Sequence, residues 1–245
     1  MPHSGEELGP YAASMTAEAL KIADTDWHLP QLYSFLADMD VTVLHAHYSR
    51  YVVDLNRDPS GRSLYPGQNV TELCPTTTFE EEPVYRAGEQ PHETEQRARV
   101  EQYWHPYHAA LEAELERVRH IHGYAVLWDA HSIRSVVPRF FDGQLPDFNL
   151  GTNDGQSCDE GLAAEVHKAA AASGRYSAVM NGRFKGGFIT RKYGQPDKNI
   201  HAIQLELSQI TYMEESFPFS YLPDDAEKVA SDIKSMIEVI MNWRP

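Results

Sequence analysis

Five short polar clusters carry the residue types that chemistry needs, and each adjoins an apolar stretch or a group of glycines. The first is Pro2-His3-Ser4-Gly5, where a turn permitted by glycine can present the His3 imidazole to a metal. The second, Asp24-Thr25-Asp26-Trp27-His28, offers two carboxylates, either of which could cap the helix that follows or ligate a cation. The third, Trp128-Asp129-Ala130-His131-Ser132, ends an apolar run. In extended chain Asp129 and His131 point to the same side, and a carboxylate beside a metal-bound histidine commonly orients it. The fourth runs from Ser49 through Arg50 to Asp54-Leu55-Asn56-Arg57, delivering an amide and a planar guanidinium fork suited to a carboxylate. The fifth, Asn181-Gly182-Arg183-Phe184-Lys185-Gly186-Gly187, sets two cations among three glycines and reads as an anion cradle. Glu206 joins these groups. In the alternating stretch 202–208 it shares a face with Gln204 while Ile203, Leu205 and Leu207 face the other way, so its carboxylate must be partnered or catalytic.

Bland readings compete at each point. A terminal histidine is usually solvated, Arg57 could form a surface ion pair, and two acids before a helix often do nothing but cap it. His45, His47, His105, His108, His120 and His122 read as packing or solvated residues. No nucleophile elbow, phosphate-binding loop or dinucleotide fingerprint is present, and neither Cys74 nor Cys158 has a base beside it in sequence. An activated water therefore fits better than a covalent intermediate.

The elements that must position these groups alternate in type. A helix is expected over 31–38, strands over 41–46 and 51–55, and a long loop from 57 to 90. Val100, Trp104, Tyr107, Leu111, Leu115 and Val118 form one apolar stripe on a helix over about 93–122, which Pro106 should kink or break. Strands are expected over 124–129, 176–180 and 202–207, with a loop over 134–157, a helix over 159–172 and a last amphipathic helix over 224–242. This alternation predicts an α/β fold, a mixed and mostly parallel sheet with helices on both faces. Among 245 residues, 21 Lys and Arg oppose 36 Asp and Glu for a formal charge of −15, which disfavours nucleic acid as a partner. There is no apolar run long enough to span a membrane, and two cysteines fit a reducing cytoplasm.

Taken in order, these segments resemble the N-formylglutamate deformylase (N-formylglutamate amidohydrolase) family. The likeness extends through Ser63-Leu64-Tyr65-Pro66-Gly67, Leu73-Cys74-Pro75-Thr76-Thr77, Tyr103-Trp104-His105-Pro106-Tyr107-His108 and Leu145-Pro146-Asp147-Phe148-Asn149-Leu150-Gly151-Thr152. The resemblance implies a fold like that of zinc carboxypeptidases and aspartoacylases, and one amidohydrolase domain over 1–245. It implies zinc or another divalent metal on His3, His131 and a carboxylate of the Asp24-Thr25-Asp26 segment, taken as Asp26. It further implies hydrolysis of N-formyl-L-glutamate in histidine breakdown. Glu206 would be the general base and zinc or Arg57 the stabiliser of the oxyanion, while Arg50, Asn56, Arg57, Arg183 and Lys185 would bind the substrate. The alternatives are a related N-acyl amino acid amidohydrolase and a catalytically silent anion-binding protein. In that family an apolar strand leads into the Pro-His-Ser-Gly turn; Met1 stands where that strand would end, so His3 is expected on a frayed terminus.

Overall fold

The computed structural model describes residues 1–61 and 71–245. The Ser63–Gly67 motif lies outside them. Four strands form one sheet: β1 (Ala125–Ile133), β2 (Phe148–Gly151), β3 (Ala178–Met180) and β4 (Ile200–Ser208), in the order β1-β4-β2-β3. β1 runs parallel to β4 and β2 parallel to β3, while β2 and β4 are antiparallel. The helices are α1 (Leu29–Leu32), α2 (Glu93–Arg99), α3 (His105–His122), α4 (Glu160–Ala171), α5 (Phe188–Tyr193) and α6 (Pro223–Asn242). The mixed α/β class and the predominance of parallel pairing follow the expectation. Among the described residues no helix is long and apolar enough to cross a membrane.

The period of two along β4 decides what each face does. Ile203, Leu205 and Leu207 are fully buried in the main core with Leu162 and Val166 of α4 and Ile233 and Met236 of α6. Each such side chain contributes about 1.5–3 kcal/mol by leaving water. On the opposite side, α3 and α5 bring Leu111, Leu115, Ile189 and Tyr193 against Ala125 and Leu127 of β1. The polar residues Gln204 and Glu206 share the face away from the main core, beside Asp129 and His131 in register. Local signals bound two of the helices: the Asp159 side chain accepts from Leu162 N–H at 2.9 Å to cap α4, and Gly123 closes α3 at φ 82°.

Several expected elements differ. Residues 51–55 are no strand, although Tyr51, Val52, Val53 and Leu55 are buried. Their backbone is held by side chains instead: Arg99 Nη1 donates to Val52 O at 3.0 Å, the Tyr85 hydroxyl to Tyr51 O at 3.0 Å, and His108 Nε2 to Leu55 O at 2.8 Å. Residues 41–46 also stay out of the sheet; here the Met1 ammonium donates to Leu44 O and Ala46 N–H donates to Met1 O. Those bonds correct the expectation of a frayed His3, which is 3% exposed. The 31–38 helix is replaced by α1 and a 3₁₀ segment, Ser34–Asp38. The loop 134–157 contains β2. The helix expected over 93–122 is interrupted just before Pro106, as expected: α2 ends at Arg99, a π-helical turn spans Val100–Trp104, and Pro106 sits in the first turn of α3.

Candidate active site

β1 carries Asp129 and His131 on one face, and loops bring His3 and Asp26 to meet them. One donor atom from each of His3, Asp26 and His131 lies within 4.8 Å of the others, and all three side chains are buried. His131 Nδ1 is 3.1 Å and His3 Nδ1 3.8 Å from the same oxygen, Asp26 Oδ2. The other ring nitrogen of each histidine faces a further carboxylate: His3 Nε2 lies 2.7 Å from Asp54 Oδ1 and His131 Nε2 3.1 Å from Asp129 Oδ1. For His3, a ring N–H given to Asp54 fixes the tautomer and leaves Nδ1 as a donor for a cation; His131 Nε2 faces both Asp129 and the Asn56 amide, and the three buried donor groups together fit a divalent metal.

Asp26 is placed by its surroundings. Its N–H donates to His3 O at 3.1 Å, and Ser132 N–H donates to its Oδ2 at 3.2 Å. The Gln209 amide donates to Thr25 O at 3.0 Å, and the Tyr212 hydroxyl lies 2.9 Å from Trp27 O. Asp24 points elsewhere: its Oδ2 accepts from the Tyr51 hydroxyl and from Phe79 N–H, both at 2.8 Å. Of the two carboxylates, Asp26 therefore stands with the histidines and Asp24 anchors the segment to its neighbours.

The two histidines titrate in opposite directions. Burial and the Arg50 charge push His3 down to about 4 against the pull of Asp54. Burial would lower His131 as well, but Asp129 and then Asp26 outweigh it and raise the imidazole to about 10. Burial would raise Asp54, yet Arg57 and Arg50 hold it well below the usual carboxylate range. Arg50 Nη2 donates to Asp54 Oδ2 at 2.7 Å, and its guanidinium lies 4.9 Å from the Phe79 ring centre.

A cavity of about 510 Å³ opens over this cluster, a size suited to a small molecule. His3, His131, Glu206 and Gln204 line its floor, Arg50, Asn56, Arg57 and Arg183 its polar walls, and Ile133, Phe79, Phe140 and Phe184 its apolar ones. Burial pushes Glu206 up to about 8. The Asn56 Oδ1 accepts from Ile189 N–H at 2.8 Å, which turns its amide nitrogen to within 3.1 Å of His131 Nε2. Gly187 is needed against it, since a Cβ there would lie 2.2 Å from that amide nitrogen. Arg57 donates from Nε and Nη2 to Thr71 O and Oγ1 at 2.9 and 2.8 Å. Arg183 Nε donates to Phe140 O at 2.5 Å.

Lys185 lies apart from the other residues expected to bind the substrate. It does not line the cavity; its Nζ pairs with Asp154 at 3.0 Å on the half-exposed outer side of the glycine loop. The cradle thus supplies one cavity cation, Arg183, because a nearby acid draws the other outward. Sequence reasoning named Asp54 only as the start of a motif and did not single out Gln204 or Thr190, whose hydroxyl lies 2.9 Å from Asp129 Oδ2. The visible signal for Gln204 was its place two residues before Glu206 on the same face.

Fold and site together describe an α/β protein with an open, arginine-lined cavity over a His-Asp-His cluster. The family model described as N-formylglutamate amidohydrolase matches residues 1–213. An N-formylglutamate deformylase of Pseudomonas aeruginosa and one of Pseudomonas putida are each 50% identical over 244 residues, covering 99% of this chain and 91% of theirs. The crystal structure of an N-formylglutamate amidohydrolase from Ralstonia eutropha JMP134 superposes with a TM-score of 0.81 at 22% identity, covering 98% of this chain and 91% of that one. A gene product of Agrobacterium tumefaciens gives 0.71 at 17% identity, over 98% and 88%. These two structures speak for the fold. The chain belongs to the N-formylglutamate amidohydrolase family.

Proposed function

We propose that this protein hydrolyses N-formyl-L-glutamate to L-glutamate and formate, with one divalent cation, zinc first among candidates, held by His3, Asp26 and His131. The observation that carries the reading is the pairing of each histidine with an outer carboxylate while its other nitrogen faces Asp26, beneath a cavity walled by arginines. The 50% identical relatives supply the substrate. A carboxypeptidase-like fold and a role in histidine breakdown belong to this proposal and rest on the family resemblance, and a cytoplasmic location belongs to it on the two cysteines.

When bound, such a cation supplies Lewis acidity at neutral pH. The chain's own groups do the rest. Glu206 takes a proton from the attacking water as its oxygen bonds to the formyl carbon, and returns it to the amide nitrogen as the carbon–nitrogen bond breaks. A carboxyl pushed up to about 8 by burial titrates near neutrality, which suits a group that must both accept and return a proton. Arg57 stabilises the negative charge that develops on the formyl oxygen. Arg50, Asn56, Arg57 and Arg183 hold the two carboxylates of the substrate, offsetting the repulsion of a strongly acidic protein.

A formate-release assay combined with metal analysis tests the reading. The expected result is near one equivalent of metal per chain, loss of turnover on chelation, and preference for N-formyl-Glu over N-acetyl-Glu, N-formyl-Asp and N-formyl-Gln. Full activity in metal-free protein would sink the cation, and turnover of N-acetyl-Glu alone would change the substrate.

A further inference from the structure

Gln204 lies on the cavity floor, 3% exposed, two residues before Glu206 on the same face of β4. Its side chain bridges two parts of the site. Oε1 accepts from Gly187 N–H at 2.7 Å, and Nε2 lies 3.2 Å from Glu206 Oε2. A backbone N–H only donates, so the atom facing Gly187 must be the amide oxygen. The amide is therefore oriented without ambiguity, and its NH₂ faces the carboxyl group.

That orientation constrains Glu206 in both of its protonation states. An NH₂ group has no lone pair to offer, so the oxygen it meets must accept. Oε2 is consequently the acceptor whether the carboxyl is ionised or neutral, and because a carbonyl oxygen accepts better than a hydroxyl, a proton on Glu206 is directed to Oε1. Among the described residues Oε1 has no hydrogen-bond partner. We propose that Gln204 is a positioning residue for Glu206: turned by the Gly187 N–H, its amide holds Oε2 and so assigns Oε1 as the oxygen that takes the proton from water and returns it to the leaving amine.

The placement also ties the base to the cavity wall. Gly187 packs directly on Asn56, so Gln204 sets the distance between the glycine-rich loop and the group that moves the proton. A carboxylate held at only one oxygen would rotate about its terminal torsion, which is broad and roughly two-fold, and would offer either oxygen to the water.

The inference rests on Glu206 acting as the base in the proposed reaction, and two substitutions separate the two ideas. Gln204→Glu keeps an acceptor for Gly187 N–H but replaces the donor facing Glu206 with a second carboxyl oxygen. Gln204→Met removes both bonds at similar volume. Formate release, metal content and thermal unfolding are to be measured on the full-length, metal-loaded enzyme. For Gln204→Glu the expected result is a fall in kcat of about 10-fold or more, with KM changed by less than about threefold and metal content held. Gln204→Met should lower kcat at least as far. Wild-type kcat in Gln204→Glu, with Gln204→Met impaired, would show that only the loop tether matters and would overturn the inference. A normal wild-type enzyme that keeps its kcat in Glu206→Gln would overturn both the role of Glu206 and the positioning role built on it. A wild-type protein that releases no formate from N-formyl-Glu would remove the reaction and the inference with it.

Discussion

Half of the active site is built on strands and half on loops, and the two halves achieve order differently. Asp129, His131, Gln204 and Glu206 sit on β1 and β4, where nine consecutive paired positions fix their spacing. His3, Asp26, Arg50, Asp54 and Asn56 sit on segments without sheet pairing. There the backbone is held by buried side chains from the α2–α3 region: Arg99 on Val52 O, His108 on Leu55 O and Trp104 Nε1 on Arg57 O at 3.0 Å. The electrostatics divide along the same line. The strand-borne histidine stands between two carboxylates and is raised to about 10, whereas the loop-borne one is buried beside Arg50 and lowered to about 4. For the proposed cation, His3 would offer a neutral ring at neutral pH, whereas His131 would first have to give up a proton.

The largest expected effect comes from removing either histidine. His131→Ala and His3→Ala should each lose most of the bound metal and most formate release, well beyond the ~100-fold that loss of a supporting carboxylate costs. Retention of full metal content in either variant would break the symmetry of the proposed ligand set. Next comes Glu206→Gln, on the strand side, for which kcat should fall about 100-fold or more at unchanged metal content. Steady-state kinetics beside metal analysis decides it.

Asp129→Asn and Asp54→Asn sharpen the contrast. Each should weaken metal binding by about 10–100-fold. They should differ in proton release on metal uptake at pH 8, measured by calorimetry in buffers of different ionisation enthalpy. Asp129 is the first group raising His131, so its loss should lower the protons released, by up to about one per site. Asp54 raises a histidine that is already neutral at that pH, so Asp54→Asn should release as many protons as the wild type. Equal release in the two variants would refute the division.

The dependence of the loop half on buried side chains predicts that Arg99→Met destabilises the protein by about 2 kcal/mol, because it leaves Val52 O and the Tyr85 hydroxyl without their donor and partner. Chemical denaturation checks this, and an unchanged midpoint would show that water replaces the guanidinium. The smallest effect on the chemistry belongs to Arg183→Ala. KM for N-formyl-Glu should rise about 10-fold with kcat within about twofold, as expected of a group that binds a carboxylate uniformly.

The strand half was legible in the sequence because period-two alternation is local. The face shared by Gln204 and Glu206, and that shared by Asp129 and His131, can be read from a few residues. The loop half was legible only as residue types. Buried Val52, Val53 and Leu55 gave an apolar run that reads as a strand, yet the Val52 and Leu55 carbonyls are satisfied by Arg99 and His108 from 47 and 53 residues away. β2 escaped notice because four residues within a Pro-, Gly- and Asn-containing stretch have too short a period to detect. Lys185 was read inward with Arg183, and the acid that turns it outward, Asp154, lies 31 residues distant. Long-range partners, which no window of sequence contains, account for the 51–55 segment and for Lys185.

The latch on the Asp26 loop has a further consequence, for the order of events in synthesis. Gln209 and Tyr212 hold Thr25 and Trp27 from 184 and 185 positions later in the chain. A nascent polypeptide emerging from the ribosome carries His3, Asp26 and His131 long before those two residues are made. The Asp26 loop gains these partners only once β4 and the segment after it have been made, so a cation held there as proposed would be expected to enter a chain that is already folded. Starving a cell of the metal should then leave a folded, inactive protein that regains activity on resupply, with no need for new translation.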